Sequence, residues 1–153
     1  MDPAIATAMK KMALLPGEDI IFHSKEKLQL LDEMEEADKT ESKIINALLS
    51  DFNQAAIDRC EGKEVDLEDW LMKFARVLDT VRNRRINVKT SVKILRDRIH
   101  KEIELAEETN KSIMKIPEND NLFLRIIKVH TKLIKHIWYT RTDATEELNK
   151  AYK

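Results

Sequence analysis

Between residues 67 and 113 apolar side chains recur at helical spacing with no glycine or proline among them. Leu67, Leu71, Phe74, Leu78, Val81, Arg85, Val88, Val92, Leu95 and Ile99 follow one another at alternating steps of four and three, which puts them on one stripe of one helix. The next apolar residue is Ile103, two steps of four in succession, after which Ala106, Asn110 and Ile113 resume. Such a stutter locally unwinds a left-handed supercoil. Asp66 can cap this helix, Asp69 lies near its positive end, and Val65 with Trp70 has the spacing of a hydrophobic staple. Pro117 stops it. The helix predicted over 66–116 is about 50 residues, roughly 75 Å long.

Other stretches carry the same period. Over 20–61 one stripe reads Leu30, Met34, Ala37, Glu41, Ile44 and Leu48, and a second, Ile45, Leu49, Phe52 and Ala56, joins it in the later half. Gly62 is the expected stop, because a left-handed cap costs glycine nothing. From Asn119 or Asp120 to about Tyr152 runs a third helix, with Leu122, Ile126, Val129, Leu133 and Ile137 as its main stripe. Phe123, Ile127, Ile134 and Trp138 lie alongside, and a face this broad usually touches two helices rather than one. At the start, Asp2-Pro3 opens a short helix with Ile5, Met9 and Met12 on one face and Lys10 and Lys11 off it, ended by Pro16-Gly17. The expected fold is therefore all-α: an elongated, coiled-coil-like antiparallel bundle of three long helices over 17–153, preceded by a short helical segment over 1–16.

Composition agrees. Charged residues make up 36% of the chain, with two glycines, three prolines and eight aromatics, which is the composition of long amphipathic helices rather than of sheets. Such an interior is aliphatic and is not built around a large cavity. The single cysteine, Cys60, cannot form an internal disulfide. No apolar run approaches the ~20 residues that span a bilayer, and the opening MDPAIATAMKK lacks the basic-then-apolar order of a secretory signal. A cytoplasmic or nuclear location is expected.

Net charge is only −1, yet its distribution is uneven. Residues 20–61 carry ten acidic against five basic side chains, whereas 82–101 carry eight basic ones against Asp97. Short connections make consecutive helices antiparallel neighbours, so position numbers on facing residues of the first two long helices should add to about 127, bringing the acidic stretch near 36 against the basic run. A turn near 117 gives about 234 for the second and third helices, placing Glu102, Glu104, Glu107 and Glu108 opposite Arg125, Lys128 and Lys132. In that register the third helix stops short, leaving roughly 16 residues of the second uncovered, about 24 Å of helical rise. The bare end is the most apolar: Leu48, Leu49 and Phe52 on one helix, Trp70, Leu71, Phe74, Val77 and Leu78 on the next. Contiguous exposed patches of this kind mark association sites, so these eight residues are the expected partner-binding tip, covered by another chain, identical or different. Ile5, Met9 and Met12 are a second candidate contact, in a partner's groove or folded back on the bundle. Arg85, charged and on the seam, is the candidate for register or partner choice, unless it simply snorkels out over its apolar neighbours.

Candidate chemistry is sparse. The run 82–101 could grip phosphates, but it lacks aromatics for stacking and faces an acidic segment, so nucleic acid is the second reading rather than the first. Histidines 23, 100, 130 and 136 do not give the paired Glu-x-x-His of a di-metal bundle. Cys60 has no histidine near it in sequence, and phosphate-binding glycine loops are absent. No catalytic residue, metal site or cofactor is therefore expected, nor stable membrane insertion. In general character the chain resembles small subunits of multi-protein assemblies that contribute helices to a shared bundle, and a non-enzymatic structural or adaptor subunit is the expected function.

Overall fold

The computed structural model describes residues 1–64 and 66–151, with the side chains of Leu49, Phe52, Leu67, Lys73, Val77, Thr80, Val81 and residues 83–87 outside the description. Three helices make up the chain, α1 (Pro3–Cys60), α2 (Leu67–Lys115) and α3 (Leu122–Ala151), and no strand occurs among the described residues. The protein is all-helical, with helices packed on one another. Its contacts divide it into two compact units, one formed by Met1–Leu31 with Lys93–Lys153 and the other by Asp32–Val92.

The helix ends follow from local chemistry. Asp2 Oδ1 accepts the Ala4 N–H at 2.8 Å, with Pro3 in the first helical position. At the other end of α1 the Gly62 N–H donates to Arg59 O and the Lys63 N–H to Asp58 O, both at 3.0 Å, with Gly62 at φ 83°. That pair of bonds is a Schellman cap, and only glycine takes that φ without strain. Asp66 Oδ1 accepts from the Asp69 N–H at 3.1 Å and caps α2. The α3 start is one or two residues later than the sequence suggests: Asn121 O accepts from the Arg125 N–H, while Asn119 Oδ1 turns the chain by accepting from the Asn121 N–H at 2.9 Å.

Pro16-Gly17 does not end a helix. The expected short N-terminal helix is continuous with the first long one, and α1 runs through both residues. Proline removes a backbone donor and crowds the carbonyl four residues back, a cost of about 3 kcal/mol in a helix interior, so the helix must be held by its surroundings. The structure supplies the holders. His130 Nε2 of α3 lies 2.8 Å from Ala13 O, and since a carbonyl can only accept, Nε2 carries the proton. Asn110 Nδ2 of α2 donates to Leu14 O at 3.3 Å. Gly17 is buried beneath the same asparagine: a Cβ there would come within 2.4 Å of Asn110 Oδ1. This glycine allows two helices to approach, rather than turning the chain.

The same closeness sets the buried face of α1. Ala6, Lys10, Ala13, Gly17 and Ser24 are buried, whereas Ile5 and Met12 are exposed. The expected stripe Ile5, Met9, Met12 is thus rotated from the true one, and Met9 alone of the three packs against the core. Small residues win because Ala6 and Ala13 fit between Ile113 and Ile116 on one side and Leu122 and Ile126 on the other. Lys10 is inside too, donating from Nζ to Met114 O at 3.2 Å and lying 3.6 Å from Glu118. Fully buried Ile113 and Leu122 each contribute roughly 1.5–3 kcal/mol by leaving water.

On α2 the seam needs no stutter. Val92, Ile99, Ala106 and Ile113 are buried as expected, but the buried position after Ile99 is Glu102, and Ile103 is half-exposed. The three-four alternation simply continues through a charged residue. In the two-helix unit Asp32–Val92, the buried apolar side chains among described residues are Phe74 and Val92.

Candidate interaction surfaces

Glu102 explains both the unbroken seam and the register of α3. Its carboxylate is 1% exposed and takes the Arg141 Nε–H at 2.7 Å, with Arg98 Nε at 4.0 Å. Arg141 lies two-thirds of the way along α3, so Glu102 does not face Lys132, and the expected register of α3 on α2 is out by about two helical turns. The cause lies in the connection. Helix α2 ends at Lys115 and α3 begins only at Leu122, so the turn is wider than one centred on Pro117. Where the start of α1 packs on the end of α2, facing positions add to about the expected 127, with Gly17 against Asn110 and Lys10 against Met114.

The shifted register has an electrostatic consequence. Arg125, Lys128, Lys132 and Lys135 are exposed and make no ion pair with another described residue. On that helix no acid falls between Asp120 and Asp143. The flank of α3 is a free basic edge.

Beside it lies an apolar seam that the three-helix unit does not use. Leu124, Ile127, Thr131, Ile134 and Trp138 succeed one another at steps of three and four, and all are exposed, Ile134 at 68% and Trp138 at 63%. The broad apolar face read from the sequence is therefore split. Leu122, Ile126 and Leu133 go inward, and the companion stripe faces out.

In the two-helix unit the tip residues have the following places. Trp70 stacks on Phe74, ring centroids 5.0 Å apart and planes 18° from parallel, with Phe74 buried and Trp70 half-buried. Leu48 and Leu78 are half-buried and Leu71 is 49% exposed. Leu49, Phe52, Val77 and Arg85 lie outside the described residues, so nothing is assigned to their side chains. Further large apolar side chains of the unit are exposed where the sequence pattern did not single them out as contacts: Met72, Ile57, Ile44 and Met34. In the acidic stretch, the hydrogen bond and charge of Glu36, 3.0 Å away, raise the pKa of Lys39 above its ordinary value.

Of the N-terminal candidates, Met9 is committed to the chain's own core, while Ile5 and Met12, the latter 71% exposed, remain outside it. The residues missed by sequence reasoning were polar: Lys10, Asn110, His130 and the Glu102–Arg141 pair. Two of them carry a signal: counting three from Ile99 lands on Glu102, and Asn110 falls on the seam between Ala106 and Ile113. No group of three or more potential metal ligands occurs among the described residues, and no described helix is long and apolar enough to cross a membrane. Comparison with known protein families, curated proteins and solved structures finds no match to this chain.

Proposed function

We propose that this protein is a non-enzymatic structural or adaptor subunit that assembles with other helical chains through a coiled-coil-like antiparallel bundle, using the apolar tip of its two-helix unit as the contact. The observation that carries the reading is the imbalance within residues 32–92. Among the described side chains Phe74 and Val92 are buried, whereas Met34, Ile44, Ile57, Leu71 and Met72 are about half exposed or more. Two helices have one mutual interface, and apolar surface left over beyond it is lowered in free energy by a further helix.

The test combines sedimentation with hydrogen exchange. The reading expects either a particle larger than one chain, or a monomer in which the Leu71 and Met72 amides exchange far faster than those of Ile99 and Ile113 and become protected on assembly. A strict monomer whose tip amides are as protected as the three-helix core would count against it, because the two-helix unit would then be complete alone.

A further inference from the structure

The exposed apolar seam on α3 lies in the unit that does not contain the tip. Leu124, Ile127, Thr131, Ile134 and Trp138 occupy successive a and d positions of a heptad repeat, and Lys128 and Lys135 fall at the flanking e positions. Position 131 adds no unmet polar group, because its hydroxyl donates to Ile127 O at 2.8 Å. The opposite edge of the seam is anchored, since His130 is held on Ala13 O of α1.

Charge decides what fits there. An antiparallel second copy presenting the same face would bring lysine against lysine: with a positions packed on d positions, Ile127 meets Trp138, Thr131 meets Ile134, and Lys128 falls beside Lys135. Like charges at flanking positions disfavour pairing and opposite charges select it. We propose that α3 binds an amphipathic helix of a different protein, one whose leucine-type seam is bordered by glutamate or aspartate facing Lys128 and Lys135. The exposed apolar seam supplies the attraction, and the unpaired lysines select the partner.

The probe is a fluorescein-labelled helical peptide of three heptads with leucine at a and d and glutamate at e and g, whose own charges keep it from self-pairing. Its counterpart has lysine at e and g. Fluorescence anisotropy with the full chain is expected to show binding of the acidic peptide and none of the basic one. Lys128→Glu with Lys135→Glu weakens the acidic peptide about tenfold, Ile134→Asp abolishes binding, and added salt weakens it. These positions are exposed, so the thermal melts of the variants stay at the wild-type value. Leu71→Asp, in the other unit, leaves peptide binding unchanged, which keeps this surface distinct from the tip. Equal binding of both peptides, binding of neither, or a dimer of the chain that Ile134→Asp dissociates would each overturn the proposal, the last by making a second copy the occupant.

Discussion

Replacing Arg141 by methionine isolates the most consequential charge in the fold. The substitution keeps the aliphatic stem but removes the donor 2.7 Å from Glu102, leaving a carboxylate that is 1% exposed with only Arg98, at 4.0 Å, to approach it. Opposite charges about 4 Å apart attract by roughly 4 kcal/mol at an effective dielectric constant of 20, and breaking a fully buried pair costs about 3–5 kcal/mol. The Arg141 side chain is 53% exposed, so water screens part of this and the expected loss is about 2 kcal/mol. For a chain of this length that lowers the Tm by roughly 6 °C. Glu102→Leu should behave differently. It removes the buried charge and frees Arg141 to reach water, so the expected change is within about 1 kcal/mol of wild type, and adding Arg141→Met to it should cost little more. Far-ultraviolet circular dichroism melts of the two single variants and the double variant measure all three. An Arg141→Met melt at the wild-type temperature, or a Glu102→Leu loss as large as that of Arg141→Met, would show that the pair does not govern this core.

Further outcomes follow from the close packing of the first half of α1. Pro16→Ala restores an N–H for the Met12 carbonyl and should stabilise by about 1–3 kcal/mol, read as a raised denaturant midpoint; a lowered midpoint would mean that the break itself is required. Gly17→Ala should lower the midpoint despite alanine's better helix propensity, because its Cβ displaces the Asn110 side chain from Leu14 O. In an Asn110→Ala background the same change should become neutral or stabilising. Ala6→Leu, at a position with no exposed surface, should overpack the junction of α1 with Ile113 and Leu122 and cost about 1–3 kcal/mol, whereas Met12→Lys should leave the melt unchanged.

The period of three and four made the helices legible, and the caps made their ends legible: Asp2, Gly62 and Asp66 act as their side chains or backbone freedom dictate. What the sequence concealed has one physical root. Hydrophobicity ranks residues by what they gain on leaving water, but a helix crossing is also decided by how near two backbones can come. That is why Ala6, Ala13 and Gly17 face inward while Ile5 and Met12 face out. Polar residues that reach across the core are harder to read: Asn110 falls on the seam without showing that it reaches the Leu14 carbonyl, and His130 carries no periodic signal. The α3 register differs for a geometric reason: a turn centred near Pro117 puts Arg125, Lys128 and Lys132 opposite the α2 acids, whereas the longer connection after Lys115 brings Arg141 to Glu102 instead. The tip rests on the apolar residues of the stretch that the third helix is expected to leave bare, and its role is a proposal.

Site-specific photo-crosslinking tests the proposed assembly most directly. With a photoreactive side chain in place of Leu71, and in a control at the exposed Glu107 on α2, the protein is irradiated in its native extract and the adducts are identified by mass. The proposal expects one discrete adduct with a helical chain, or with a second copy, from position 71 and none from position 107. No adduct at 71, or the same spread of adducts from both positions, would contradict it.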